Sequence, residues 1–181
     1  VRVGKEAGRL NIKEPTAHHM GMLGTVINAL ALRDTLEKLE QPTRVQSSVS
    51  VRSVCEDYLY QRCIGHLEKG RVVIVAGGTG RPFVTTDTAA ALVACEIGAR
   101  ILIKATQVDG VYTADPKLDS SATRHDELSH DAVIDQRLSV MDLSAIDLCQ
   151  RNNIPIVVLN LRESGSLLAA ARGLPVGTII R

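Results

Sequence analysis

Three short apolar runs, separated by stretches with helical spacing, constrain the fold of this chain most. They are "RVVIVAGG" (Arg71–Gly78), "RILIKA" (Arg100–Ala105) and "IPIVVLN" (Ile154–Asn160). Their apolar residues are continuous rather than alternating, which is typical of strands buried on both faces. Helix-like patterns at Thr86–Ile97 and Asp142–Asn152 lie between the runs. This alternation predicts an α/β fold with a largely parallel sheet sandwiched between helices.

Further helices and strands are expected where the same spacing recurs. No internal repeat or low-complexity linker interrupts the 181 residues. A single domain spanning residues 1–181 is therefore the expected organisation. The additional helices are His19–Leu39, Ser53–Leu67, Leu128–Gln136 and Ser164–Arg172, and the additional strands are Arg44–Val49 and the final "GTIIR".

Composition and charge argue against several classes of protein. The net charge is +1 and aromatic residues make up 2% of the chain, whereas a nucleic-acid-binding surface usually combines a basic face with stacking rings. No apolar run reaches the length of a membrane span. The four cysteines and five histidines lack the spacing of a metal or redox site. We therefore expect a cytoplasmic protein with reduced thiols, no metal-binding residues, and neither a nucleic-acid nor a membrane partner.

A glycine-rich segment follows the first buried strand, in "AGGTGRPFVTTDTAAAL" (76–92). Ligands of parallel sheets bind at the carboxyl ends of strands. Glycines allow the backbone to approach an anion, and threonine hydroxyls and helix N-terminal amides donate to phosphate. The alternative is that Thr86 or Asp87 only caps the following helix. Capping leaves the glycine cluster unexplained, so the segment predicts a phosphate site.

Two further strand ends carry candidate side chains. The strand that ends at Lys104-Ala105-Thr106 is followed by a turn at 108–111 and by Tyr112. Tyr112 could stack on a base and Thr106 could hydrogen-bond to its edge, although ordinary packing also explains Tyr112. Asp142 stands where a helix should begin. It is either a helix cap or a carboxylate that orients a metal–phosphate group or a lysine.

Together these stretches resemble the bacterial uridylate (UMP) kinases of the amino-acid kinase superfamily. The matching segments are "GTGRPFVTTDTAA", "IKATQVDGVYTADP", "VMDLSAIDLC" and the helix "HHMGMLGTVINALALRD". The resemblance runs from about Thr16 to Ile180 and is weaker over Arg44–Arg62. Loops like "KATQVDGVYTADP" occur across the superfamily, whereas their combination with "TGRPFVTTD" is much more specific to UMP kinases.

The resemblance implies transfer of the γ-phosphoryl group of ATP to UMP, giving UDP and ADP in pyrimidine nucleotide biosynthesis, with Mg²⁺ on the ATP phosphates. It also implies a homohexamer built from dimers, with GTP and UTP as effectors. It implies a catalytic role for Asp142 and ATP contacts from Thr106, Tyr112 and Asp115. The residues implied for UMP are His18, Thr79, Gly80, Arg81, Pro82, Phe83, Val84, Thr85 and Thr86.

The chain departs from the family pattern at two places. The family begins with a strand and a lysine-bearing glycine-rich loop, and nothing similar precedes Thr16. The expectation is an N-terminally incomplete domain that lacks its first strands, with Val1–Gly8 and Arg2 as the end of that region, and poor activity of the chain by itself. The second departure is His18, which replaces an aspartate expected at the UMP ribose. Histidine can make one hydrogen bond to a hydroxyl, but not as an anion.

Two other functions stay open. One is a superfamily member that phosphorylates a carboxylate or carbamate, which the "TGRPFVTTD" segment disfavours. The other is a non-catalytic nucleotide-binding or storage protein on the same fold. Assays of acceptors, together with binding measurements for ATP and UMP, would separate these functions.

The first long helix predicts an interface. Apolar and small residues cover most of its circumference as far as Leu32, and it becomes polar only at Arg33 and Asp34. A helix that covers one side of a sheet usually keeps a polar outer face. Its outer side is therefore expected to pack against another element of the chain or against a second subunit. The resemblance favours a two-fold interface in an oligomer.

Overall fold

The computed structural model describes residues 11–114, 116, 118–138 and 140–181. The remnant expected at Val1–Gly8 and the ATP contact expected at Asp115 lie outside these residues. The chain has two compact units, one running up to Ala89 and the other starting at Ala90. Each unit has its own sheet and its own apolar core. The single-domain organisation stays a prediction.

The first unit is a three-stranded parallel sheet with helices. The strands β1 (Thr43–Ser47), β2 (Glu56–Asp57) and β3 (Val72–Ala76) lie in the order β2-β1-β3, and β1 pairs with β3 along its whole length. Val26 and Ala29 of the first helix pack against the sheet. The end of β3 lies beside the end of β1, because Ala76 pairs with Ser47. The elements are α1 (Glu14–Lys38), β1 (Thr43–Ser47), β2 (Glu56–Asp57), α2 (Tyr60–Leu67), β3 (Val72–Ala76) and the start of α3 (Thr86–Glu96).

The helix predicted at Ser53–Leu67 is wrong in its first half. The helix α2 begins only at Tyr60, because Glu56 and Asp57 pair with β1 as a short parallel strand. A turn precedes that strand, and Arg52 Nε donates to Asp57 Oδ2 at 2.7 Å. The helix α1 begins five residues earlier than predicted, at Glu14. Pro15 permits this start because a helix leaves its first amide groups unpaired.

The second unit contains a four-stranded sheet and a hairpin. The sheet order is β4-β8-β9-β7, in which only the β8–β9 pair is antiparallel, and β5 and β6 form a separate antiparallel pair. Ile146, Cys149 and Ile156 are fully buried in its core. The elements are β4 (Leu102–Thr106), β5 (Val111–Tyr112), β6 (Arg124–His125), β7 (Glu127–Leu128), α4 (His130–Asp135), α5 (Leu143–Arg151), β8 (Ile156–Asn160), α6 (Ser166–Ala171) and β9 (Thr178–Ile180).

The predicted fold class is confirmed, with differences in detail. Four of the six strand pairs in the described residues are parallel. The strands form one sheet in each unit and a hairpin, rather than the single sheet expected from the sequence. Leu128 belongs to β7 and not to the predicted helix, which begins at His130. None of the described helices is both long enough and apolar enough to cross a lipid bilayer.

The four cysteines are thiols in this structure. Cys63 of the first unit is 2% exposed and Cys149 of the second unit is fully buried. Burial raises the pKa of Cys149 to about 11. Each unit therefore encloses one thiol in its interior.

His130 makes the stability of the second unit sensitive to pH. Its side chain is buried at the start of α4, and Nε2 has no hydrogen-bonding partner among the described residues. Burial lowers the pKa of His130 from its usual value of 6.5. As the pH falls through that value, the unfolded chain binds a proton that the folded protein does not, so acidification favours unfolding. We expect the unfolding free energy of the wild type to fall more steeply between pH 7.5 and 5.5 than that of His130→Gln. Urea titrations that give parallel pH profiles for both proteins would refute this role.

Candidate functional site

A loop of eight residues, 77–84, follows β3 and is called the glycine loop below. Gly77, Gly78 and Gly80 have positive φ angles of 82°, 58° and 71°. A Cβ atom on Gly77 would lie 3.0 Å from Ser47 Oγ, and one on Gly80 would lie 2.8 Å from the Ser48 carbonyl oxygen. Both the backbone conformation and the close packing against the end of β1 therefore favour glycine.

Hydrogen bonds hold the start of the glycine loop from two sides. Ser48 donates from Oγ to the Gly78 carbonyl oxygen at 2.9 Å, and its amide donates to the Ala76 carbonyl oxygen at 3.0 Å. From α1, Thr25 Oγ1 accepts the Gly77 amide at 2.8 Å and donates to the Met22 carbonyl oxygen at 2.6 Å. The turn after β3 is thus fixed by side chains of other elements.

His18 and Phe83 meet at the far end of the glycine loop. The Phe83 amide donates to His18 Nδ1 at 2.7 Å, and the two ring centroids are 4.9 Å apart at an interplanar angle of 56°. His18 Nε2 lies 3.8 Å from Glu14 Oε1. Phe83 has a φ angle of 66°, which is uncommon for a residue with a Cβ atom.

A cavity of about 400 Å³ lies between α1 and the glycine loop. His18, Val84, Thr85 and Thr86 line it, and these are four of the nine residues that the resemblance assigned to UMP. The other five, Thr79 to Phe83, lie in the glycine loop but are not among the residues that line the cavity. No pattern in the sequence had marked the rest of the wall, which is formed by Gly78 of the glycine loop and by one face of α1: Gly21, Met22, Gly24, Thr25 and Asn28.

The start of α3 supplies hydroxyl groups to this cavity. Thr86 is the first helical residue, and the Thr88 amide points to Thr85 Oγ1 at 3.4 Å. The residue at the capping position is therefore Thr85, rather than Thr86 or Asp87 as the alternative interpretation had it. Four amides of the glycine loop are already engaged within the protein, those of Gly77, Gly80, Arg81 and Phe83. This arrangement favours anion binding by the threonine hydroxyls and the first turn of α3.

A second cavity, of about 580 Å³, lies in the second unit. Thr106 and Tyr112, two of the residues assigned to ATP, line it together. Thr106 Oγ1 both donates to and accepts from the Val108 backbone at 2.9 Å. Its hydroxyl therefore shapes the turn after β4, and its hydrogen is not available to a base edge in this arrangement.

Asp109 holds the Tyr112 ring in place. The Tyr112 hydroxyl donates to Asp109 Oδ1 at 2.9 Å, and this hydrogen bond raises the pKa of Tyr112. Arg124 of β6 approaches Asp109 Oδ2 at 3.3 Å. The ring is thus fixed through its polar end, which leaves its faces for packing or stacking. The role of Asp109 and Arg124 cannot be predicted from a local pattern, because their contact joins residues 15 positions apart.

Thr178 anchors the same hairpin to the sheet. This residue of β9 is fully buried, and its hydroxyl accepts the Val111 amide at 2.8 Å and donates to the His125 carbonyl oxygen. A Cβ atom on Gly110 would lie 2.5 Å from Thr178 Oγ1, so the turn must approach β9 closely. The cavity wall also includes Arg137, an exposed cation that no sequence pattern marked.

Asp142 occupies the N-cap position of α5, but its side chain makes no capping hydrogen bond. Its carbonyl oxygen accepts the Ala145 amide at 2.9 Å and the Ile146 amide at 3.2 Å. The half-buried carboxylate is thus placed at a helix N-terminus, where the helix dipole favours a negative charge. This geometry weighs against the interpretation of Asp142 as a side-chain cap.

The chain is similar to known proteins over most of its length. Residues 4–160 match the model of the amino acid kinase family. The chain is 49% identical over 177 residues to a uridylate kinase from Methylococcus capsulatus, covering 98% of the chain and 74% of that relative. It is 52% identical over 166 residues to one from Xanthomonas campestris pv. campestris, covering 92% and 69%.

Solved structures of UMP kinases have a similar fold. The crystal structure of UMP kinase from Bacillus anthracis matches with a TM-score of 0.94 and 38% identity, over 98% of this chain and 74% of that one. The UMP kinase from Ureaplasma parvum matches with a TM-score of 0.91 and 32% identity, over 98% and 76%.

Proposed function

Because the chain belongs to the amino acid kinase family and, within it, to the uridylate kinases, we propose that it transfers the γ-phosphoryl group of ATP to UMP, giving UDP and ADP. The observation that carries this proposal is the identity of about half of its residues with curated uridylate kinases over nearly its whole length. Transfer to a carboxylate or carbamate is not favoured, because the two cited structural neighbours are also UMP kinases.

The cavity beside the glycine loop is the proposed UMP site. Its wall contains no acidic side chain and has threonine hydroxyls at the start of α3, which suits a nucleoside monophosphate whose phosphate would face that helix N-terminus. The cavity with Thr106 and Tyr112 is the proposed ATP site, and Asp115 remains part of that proposal. Both volumes, about 400 and 580 Å³, fall within the range of roughly 300–1,000 Å³ usual for small-molecule sites.

A divalent cation fits this proposal as a companion of ATP. Among the described residues, no group of three or more histidine, cysteine, aspartate or glutamate side chains could hold a metal ion. Mg²⁺ commonly uses few protein carboxylates together with substrate phosphates, and when bound it neutralises charge on the transferred group. Asp142 is the proposed carboxylate that orients groups around that phosphoryl.

Direct assays test the proposed function. ADP formation from ATP should depend on UMP, and much less on CMP, aspartate or N-acetylglutamate. Calorimetry with UMP and ATP separates binding from turnover, so a storage protein would bind both nucleotides without forming ADP. Turnover with aspartate or N-acetylglutamate in place of UMP would overturn the proposed acceptor.

The proposal includes assembly through α1. Met20, Leu23 and Ile27 are 42%, 43% and 68% exposed and lie along one stripe of the helix. These residues support a two-fold interface in a hexamer. Ala29, by contrast, is 3% exposed and packs in the core, so a charge there should unfold the protein instead of separating subunits.

We expect Ile27→Glu to shift the protein toward monomer without unfolding it, because a buried charge at a subunit interface is costly. Light scattering with sizing chromatography measures the mass. Leu118→Glu, at a residue that is 87% exposed, is the control and should leave the mass unchanged. A wild-type monomer at all concentrations would end this proposal.

Regulation and location complete the proposal. GTP and UTP are the proposed effectors, and their effect on the UMP-dependent rate is measured directly by adding each nucleotide. The cytoplasm is the proposed location, which is where the four thiols would stay reduced.

A further inference from the structure

One face of α1 contacts the glycine loop at both of its ends. His18 and Thr25 are seven residues apart, about two helical turns, so they lie on the same face. Thr25 Oγ1 accepts the Gly77 amide at 2.8 Å, and His18 Nδ1 accepts the Phe83 amide at 2.7 Å. The cavity proposed for UMP lies along this face, with Gly21 in its wall.

The chemistry of these contacts assigns the His18 imidazole a definite form. A ring nitrogen accepts a hydrogen bond from an amide only when it carries no proton, so the proton of the neutral ring is on Nε2. The Phe83 ring packs against the imidazole, with centroids 4.9 Å apart. Phe83 keeps an unfavourable φ angle of 66°, and such conformations persist only where surrounding contacts hold them.

We propose that His18 and Thr25 are positioning residues that fix the glycine loop in its binding shape before the acceptor arrives. His18 does so through Nδ1, instead of binding the acceptor ribose through Nε2. A loop that is already ordered loses less conformational entropy when a ligand binds, so these contacts raise affinity for the acceptor. The inference rests on the proposed function only in taking that acceptor to be UMP.

Two substitutions of His18 separate the two roles. His18→Asn places an oxygen near the position of Nδ1, whereas His18→Gln extends its amide toward the position of Nε2. We expect the affinity for UMP, measured by calorimetry on the full chain, to fall about fivefold in the Gln variant and distinctly less in the Asn variant. The reverse order, or an equal loss in both variants, would overturn the assignment to Nδ1.

Thr25 offers a matched pair of its own. Thr25→Val keeps the shape of the side chain and removes the hydroxyl, whereas Thr25→Ser keeps the hydroxyl. We expect about a fivefold loss of UMP affinity in the Val variant and a smaller loss in the Ser variant, with ATP affinity unchanged in both. A similar loss of ATP affinity would indicate general damage to the fold and would overturn the positioning role.

Hydrogen exchange tests the contacts without any nucleotide. In the unliganded chain, Thr25→Val should speed exchange of the Gly77 amide, and His18→Gln should speed that of Phe83, while amides within β3 keep their wild-type rates. Unchanged exchange at both amides would overturn the inference. A wild-type protein that does not bind UMP would instead refute the proposed function, and the exchange result would still decide the role of the two residues.

Discussion

Asp142→Asn is expected to lower UMP-dependent turnover roughly a hundredfold or more, with ATP affinity changed by no more than about twofold. Asparagine keeps the size of the side chain and removes its charge. The Asp142 carboxylate makes no capping hydrogen bond to α5, so loss of the charge should lower stability only by its interaction with the helix dipole, about 0.3–1 kcal/mol. The main effect should be on phosphoryl transfer. The measurements are steady-state kinetics and calorimetry with ATP.

A genuine cap in the same unit provides the control. Ser129 Oγ accepts the Ala132 amide at 3.0 Å at the start of α4. Ser129→Ala should lower the unfolding free energy by about 1 kcal/mol and leave turnover unchanged. If Asp142→Asn behaves like Ser129→Ala, with normal turnover and reduced stability, Asp142 has a structural role only.

Gly177→Ala is expected to lower the unfolding free energy by about 4 kcal/mol or more, enough to unfold much of the protein at 37 °C. Gly177 has a φ angle of 66°, and an added Cβ atom would lie 1.9 Å from the Val158 carbonyl oxygen. Val158 is 2% exposed in β8 and pairs with Thr178. Relief of the clash would require β8 and β9 to separate in the middle of the sheet.

Gly173→Ala isolates the backbone contribution to this effect. Gly173 has a φ angle of 71°, and nothing lies within 4 Å of an added Cβ atom. Its substitution should therefore lower the unfolding free energy by only the strain of the left-handed conformation, about 1–2 kcal/mol. Urea denaturation compares the two variants, and equal losses would show that the contact with Val158 is unimportant.

The sequence predicted best those elements whose signal is local. The strands β3, β4 and β8 agree with prediction to within two residues at each end, because a continuous apolar run between turn residues has few other solutions. The burial expected of such runs is found only in β8, since β3 has one buried residue and β4 has none. The failure at Ser53–Leu67 has the opposite cause. Its apolar spacing suits a helix, but Glu56 pairs with Gln46, ten positions earlier, and no local pattern carries that information.

In the candidate site, too, features with a local signal were predicted and contacts between distant residues were not. The glycine loop, Thr106, Tyr112 and Asp142 were identified from residue type and position at strand or helix ends. The residues that hold these segments were not, because Thr25 contacts Gly77 across 52 positions and Thr178 contacts Val111 across 67. Ala29 and Ile27 illustrate the limit within one helix, since both are apolar but only Ile27 is exposed.

The buried thiols allow the unfolding of each unit to be measured separately. Cys63 lies inside the first unit and Cys149 inside the second, and alkylating reagents attack only the thiolate of an accessible cysteine. Labelling in the native state should therefore require each unit to open, and it follows the opening rate when the reagent reacts faster than the unit recloses. Mass spectrometry of the two peptides would distinguish the units. The wild-type chain can thus show, without any added probe, whether its two halves unfold together or in sequence.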